Sequence, residues 1–352
     1  MALLPNNKLR YWLRLVLTWW VAVFLFGFFR HYGWPERLPF SPAYLIEPGL
    51  DLSLALVVGT GYFLIELLLR RPTFERLPFG WWAGLKTALH LVLVVALIAA
   101  AIKLYPLFNA AVDPDITLGE FLRSKLMVVV LLYFFVVSLL ITLFQRMYQK
   151  VGPGAFGNML LGKYHHPREE ERIFLFVDLR DSTPIAEELG HLRFSRLIQD
   201  CFADATEAVL RHRAEIYQYV GDEIILCWTP RYGSRANNCV AAYFTFVDTL
   251  AARETYYRHQ YGLAPVFKAA AHVGRTTVAE VGQIKRELAY HGDVLNTAAR
   301  MQGECKRLGE DLLISPALAD LLALAKDYEI RHYPPVELTG KRDPLPLIGV
   351  RR

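Results

Sequence analysis

Four long apolar stretches crowd the first 150 residues of this 352-residue chain, and they constrain its fold more than anything else in it. Residues 11–29, 50–69, 82–104 and 126–146 are each long enough to cross a bilayer and carry few charges. The mean hydropathy of +0.24 comes from this front part; the remainder reads as globular. The expected organisation is a four-helix transmembrane bundle over 1–146, a linker over 147–170 and a folded domain over 171–352. The first stretch is too long for a cleaved leader, has no small-residue cleavage site and is followed by further spans. Trp81, Trp82 and Tyr105 lie near span ends, as interfacial aromatics do.

Basic residues set the orientation. Lys8, Arg10 and Arg14 open the first span, Arg70, Arg71 and Arg76 follow the second, and Arg146 and Lys150 follow the fourth. The opposite loops hold Arg30, Arg37, Lys103, Arg123 and Lys125, offset by Glu36, Glu47, Asp113, Asp115 and Glu120. Both termini are thus expected in the cytoplasm, with the chain integral to the plasma (inner) membrane. Residues 31–49, with Pro35, Pro39, Pro42 and Pro48, are expected to form a loop. His90, Asp51 and Glu66 are polar groups in apolar surroundings; they either pair within the bundle or serve an unknown membrane-domain ligand. The formal charge of +5 is explained by span-flanking residues, and no nucleic-acid partner is expected. Cys201, Cys227, Cys239 and Cys305 form no CxxC pair, so neither a zinc site nor a disulfide framework is indicated.

The folded domain opens on RIFLFVDLRDST, Arg172 to Thr183. Ile173 to Val177 read as a buried strand that ends on Asp178, a carboxylate that a cation must neutralise. Arg180, Asp181, Ser182 and Thr183 then lead into a helix, where free backbone N–H groups can hold phosphate. A second stretch, EIYQYVGDEIILCW from Glu215, reads as two strands around a turn at Val220 to Glu223. If the hairpin pairs beside the first strand, Asp178 and Asp222 lie side by side, an arrangement suited to two Mg²⁺ ions bridging to phosphates.

The remaining elements are expected as a helix over Pro184–Arg213 with a break near Gly190, a helix over Ser234–His259 capped by Ser234, and strands over Val266–Val273 and Thr276–Val281 around Gly274. Glu287–Tyr290 is extended and Asp293–Leu308 a helix capped by Asp293. Leu312–Ile314, Pro316–Leu324, Tyr328–Tyr333 and Leu345–Val350 follow as strand, helix, strand and strand. The order is βαββαβ with additions, a ferredoxin-like α+β core with helices on an antiparallel sheet. Asn296 and Arg300, four residues apart, share one helical face. Lys341 follows Gly340 in a loop. His165-His166 has no third ligand candidate nearby and reads as polar linker.

Four motifs in order now stand out: F-x-D-x-x-x-S-T, Y-V-G-D-E, H-G-D-x-x-N-x-x-A-R and a late G-K. From about Arg172 to Val350 the chain resembles the class III nucleotide cyclase catalytic domain, and the arrangement looks like that of bacterial membrane-anchored adenylate cyclases. The resemblance implies a head-to-tail homodimer making cyclic AMP from ATP with two Mg²⁺ or Mn²⁺ per site. Asp178 and Asp222 would bind both metals with the Leu179 carbonyl, and Arg180, Asp181, Ser182 and Thr183 would hold the β- and γ-phosphates. From the partner chain, Asn296 would orient the ribose, Arg300 would stabilise charge at the α-phosphate and Lys341 would bind the terminal phosphates.

Two positions depart from the family pattern. Gln218 stands where adenylate cyclases usually carry Lys, and Ala289 where they carry Asp or Thr. This is not the Glu/Cys pair of guanylate cyclases either, so ATP is the expected substrate, with GTP as the alternative. A nucleotide-binding receptor module with little turnover is the other reading. Asp181 stands where many relatives have Gly. No GG[DE]EF run is present.

Overall fold

The structure is a computed structural model that describes residues 5–31, 42–69, 77–108, 119, 123–152, 157–158, 161–324, 327–341 and 343–352. Of the residues used to argue orientation, Glu36, Arg37, Arg70, Arg71, Arg76, Asp113, Asp115 and Glu120 lie outside it. Lys8, Arg30, Glu47, Asp51, Lys103, Tyr105 and Lys150 are described in their backbone only. The chain divides into two compact units, Met1–Gln149 and Lys150–Arg352.

The first unit consists of α1 (Pro5–His31), α2 (Pro42–Leu69), α3 (Phe79–Phe108) and α4 (Lys125–Val151). Each contains a segment long and apolar enough to cross a membrane: Leu9–Phe28, Leu52–Leu69, Phe79–Ala100 and Met127–Tyr148. Of the loop expected over 31–49, residues 42–49 belong to α2, which starts at Pro42, where a missing N–H costs nothing, and residues 32–41 lie outside the described residues. Leu17, Leu64, Val92 and Leu132 face outward, while Trp19, Tyr62, Val94 and Phe134 pack inside.

A polar network ties all four helices together. Lys86 Nζ lies 3.4 Å from Glu66 and donates to Gln145 at 2.8 Å, and the Tyr11 hydroxyl donates to Glu66 at 2.5 Å. Glu66 is therefore paired within the bundle. His90 is fully buried between Trp19 and Tyr62, with ring centroids 4.5 and 4.8 Å away.

The second unit is built on one sheet. Its strands are β1 (Arg168–Leu179), β2 (Glu215–Val220), β3 (Glu223–Trp228), β4 (Phe267–Val281), β5 (Glu287–His291), β6 (Leu312–Ile314), β7 (Glu329–Val336) and β8 (Leu345–Arg351), in the order β2-β3-β1-β4-β6-β8-β7, with β5 on β4. Its longer helices are α5 (Ser182–Arg211), α6 (Asn238–Ala252), α7 (Glu254–Tyr261) and α8 (Asp293–Leu308). The β2-β3-β1-β4 order is that of a ferredoxin-like βαββαβ core. β4 and β6 pair in parallel, so the sheet is mixed rather than antiparallel throughout; α8 carries the chain back along the sheet before β6 begins.

Alternation along β1 sorts the core. Ile173, Leu175 and Val177 face α5 and α6, whereas Phe174 and Phe176 face α8 with Val294 and Ala298. Asp178 continues the second series at the strand's end.

Several local expectations change. β1 begins at Arg168, because Arg168 to Arg172 pair with β4. Of the linker, residues 153–156 and 159–160 lie outside the described residues. β4 runs unbroken through Gly274, where α8 passes so close that a Cβ would stand 3.2 Å from Val294. The helix expected from Ser234 starts at Asn238, because Ala236 and Asn237 turn through the left-handed region, and it breaks before α7 at Arg253. Pro316–Ala319 is one turn rather than a helix to Leu324, capped by the Ser315 side chain. Asp293 is the first helical residue, not the cap; Gly292 precedes it, and the Asp293 carboxylate is turned to Lys341.

Candidate active site

β1 and β3 pair so that Asp178 lies opposite Glu223, and β1 and β4 pair so that Asp178 lies opposite Lys268. Asp222 occupies the tight turn just before Glu223, after Gly221 at φ +61°. Three carboxylates and one ammonium thus meet at the end of the sheet's α8 face. Lys268 Nζ stands 3.3 Å from Asp178 Oδ2. The Asp222 Oδ2 atom is buried and has no hydrogen-bond partner among the described residues.

Burial, first, raises the Asp178 carboxyl; the Asp222 carboxylate raises it further, against the Gln302 amide and Lys268. The Gln302 Nε2 has no hydrogen-bond acceptor at full bonding geometry among the described residues, yet the amide is near enough to Asp178 to favour its ionised form. Glu223 is pushed up to about 7, by burial first and then by Asp178 and Asp222. A half-buried knot of carboxylates with an orphaned oxygen is unfavourable by itself, and hard divalent cations relieve it. Asp178 and Asp222 offer oxygens of the hard kind that Mg²⁺ or Mn²⁺ accepts. The three carboxylates do not form a closed cage: among the described residues no group of three or more His, Cys, Asp or Glu side chains is placed to hold an ion by itself.

Next in the chain, Arg180 donates to Asp311 at 2.5 Å. Asp181 sits at φ +53°, the left-handed region that explains Gly at such a position, and its carboxylate bonds Lys306 at 2.9 Å. It therefore points to α8. Ser182 and Thr183 open α5, so their N–H groups have no intrahelical acceptor.

The second group of expected residues gathers elsewhere on α8. Asn296 is exposed and Arg300 half-buried. Gly340, at φ +71°, packs against the Arg300 guanidinium, where a Cβ would stand 3.2 Å from Nη2. Lys341, next to it, donates to Asp293. Gln218 on edge strand β2 and Ala289 on β5 have neighbouring rings that touch: Tyr217 and Tyr290 pack edge to face at 4.8 Å. Both positions accordingly belong to one end of the domain.

Within one chain the two groups do not converge. Asn296 and Gln302 are six positions apart on α8, about 9 Å along its axis and roughly 120° around it. Gln302 faces down to Asp178; Asn296 faces away. Lys268 and Glu223 complete the carboxylate end and were not singled out from sequence. Their signal is the period-two alternation of β3 and β4, which places them on the Asp178 face.

A sequence profile described as the adenylate and guanylate cyclase catalytic domain matches residues 165–346, just over half of the chain. The chain belongs to this cyclase family. Adenylate cyclase 2 of Rhizobium meliloti (strain 1021) is 36% identical over 177 residues, which cover 50% of this chain and 48% of that protein. Adenylate cyclase 1 of the same organism is 26% identical over 161 residues, covering 42% of this chain and 23% of that one. The chain thus spans half or less of the length of these curated relatives. Among solved structures, a bacterial light-regulated adenylyl cyclase aligns with a TM-score of 0.51 at 18% identity, over 65% of this chain and 66% of that one, a likeness of fold.

Proposed function

We propose that this chain is a membrane-anchored adenylate cyclase that converts ATP to 3′,5′-cyclic AMP and pyrophosphate in a head-to-tail homodimer. The observation that carries this is the orphaned Asp222 oxygen beside Asp178 at the strand end of a cyclase-family domain. When bound there, two Mg²⁺ or Mn²⁺ ions would activate the ribose 3′-hydroxyl and neutralise charge on the phosphates. Asp178, Asp222 and the Leu179 carbonyl would hold them. Lys268 and the N–H groups of Ser182 and Thr183 bind the β- and γ-phosphates of the same nucleotide; Arg180 and Asp181 shape the turn through Asp311 and Lys306.

Asn296 and Arg300 face away from their own carboxylates, which supports their serving the site of a second copy. There Asn296 holds the ribose, the Arg300 fork takes charge at the α-phosphate and Lys341 takes the terminal phosphate. Gln218 and Ala289 face the base. A homodimer so built has two equivalent sites. The four apolar helices support anchoring in the plasma membrane, with the catalytic domain on the cytoplasmic side where ATP is.

Purified full-length protein in detergent with Mn²⁺, offered ATP and GTP separately, tests this. Cyclic AMP from the wild type and none from Asp178→Ala is the expected result. Cyclic GMP alone would overturn the base assignment, and absence of both products would overturn the enzyme reading.

A further inference from the structure

Lys341 is not free in this structure. It follows the left-handed Gly340 in a turn closed by its own N–H to the Leu338 carbonyl at 2.9 Å. The turn packs on Arg300, so Lys341 and Arg300 are held side by side. The Lys341 ammonium is taken by Asp293 Oδ2, which also accepts from the Thr297 hydroxyl at 3.3 Å. The Asp293 side chain is 66% exposed and that of Lys341 27%. Solvent therefore reaches the pair, and it can open.

We propose that Asp293 is a positioning residue that competes with the nucleotide's terminal phosphates for Lys341. The inference rests on the cyclase reading of this site. Asp293 lies in the first turn of α8, where the helix N-terminus favours negative charge even when Lys341 leaves. Lys341 is the foremost cause holding its carboxyl below the usual range. Beneath the pair, His272 is held down to about 4, by burial first and then by Lys341, and bonds Ser315 at 2.7 Å. It is neutral at physiological pH and supplies no second cation to hold Asp293. Arg300 is the other cation nearby. A bound phosphate, with more charge and more acceptor oxygens, displaces the carboxylate from Lys341. The displaced carboxylate then stands beside the phosphate and repels it. When pyrophosphate is the product, Asp293 retakes Lys341 and favours its release.

The direction of the effect separates this from a structural role. In full-length protein, Asp293→Asn should lower both the KM for ATP and the inhibition constant for pyrophosphate, by about two- to fivefold. Asp293→Glu should stay near wild type. If Asp293 merely held the loop, Asp293→Asn would raise both constants, and either a rise or no change overturns the proposal. Calorimetric titration of wild type and Asp293→Asn with pyrophosphate gives a readout without turnover. Failure of the wild type to cyclise any nucleotide would refute the cyclase reading, while the titration would still decide the competition.

Discussion

Lys268 reaches across from β4 to place its ammonium 3.3 Å from Asp178, the carboxylate one residue before the end of β1. It is the cation set directly against the Asp178–Asp222–Glu223 knot. Removing it leaves three carboxylates facing one another and takes away the cation proposed to bind phosphate. Lys268→Met should raise the KM for the metal–nucleotide complex about tenfold or more, while Lys268→Arg retains most of the affinity. Steady-state kinetics on the two variants checks this.

The same knot should make stability depend on pH and on divalent cations. Glu223 is raised from 4.5 to about 7 by burial and its two neighbours. An acid raised on folding binds more protons in the folded state, so its contribution falls as pH rises from about 4.5 through about 7. Divalent cations relieve this most where the carboxylates are ionised. The melting-temperature gain from Mn²⁺ should therefore be larger at pH 8 than at pH 6, and Glu223→Gln should shrink the difference. A gain independent of pH would contradict the arrangement.

Asp181 carries a non-glycine side chain at φ +53° and bonds Lys306 on the surface. Glycine would relieve the backbone, at about 1 kcal/mol, but would lose the ion pair and gain freedom in the unfolded chain. Asp181→Gly should leave stability nearly unchanged and bind nucleotide somewhat more tightly, because one negative charge leaves the phosphate turn. Thermal melts and nucleotide titrations read the two effects separately.

In the membrane unit, Lys86 is fully buried against Glu66, Gln145 and the Tyr62 ring. Lys86→Met removes the cation from this buried pair and should cost about 3 kcal/mol. Lys86→Met combined with Glu66→Leu should recover part of that loss. Unfolding in detergent, followed by tryptophan fluorescence, measures both.

Much of this was legible in the sequence because its signals are local. Long apolar runs, the strand ending on Asp178 and the Gly221-Asp222 turn each carry their own physical reason. What was not legible came from tertiary packing. Gly274 looks like a strand break, yet it is where α8 crosses an unbroken β4. Asp293 has the composition of a helix cap, but Lys341, 48 residues on, claims its carboxylate. Lys268 and Glu223 are ordinary charges until strand register sets them either side of Asp178. The parallel β4–β6 pair depends on a crossover that no short window contains.

The central claim is that each site is assembled from two chains, and mixing inactive variants tests it most directly. Asp178→Ala and Asn296→Ala should each abolish cyclic-nucleotide formation alone. Co-expressed, they form mixed dimers in which one site has both halves intact, and about a quarter of wild-type activity should return. If no activity returns although mixed dimers are shown to form, the site is not shared between two copies, and the account is wrong.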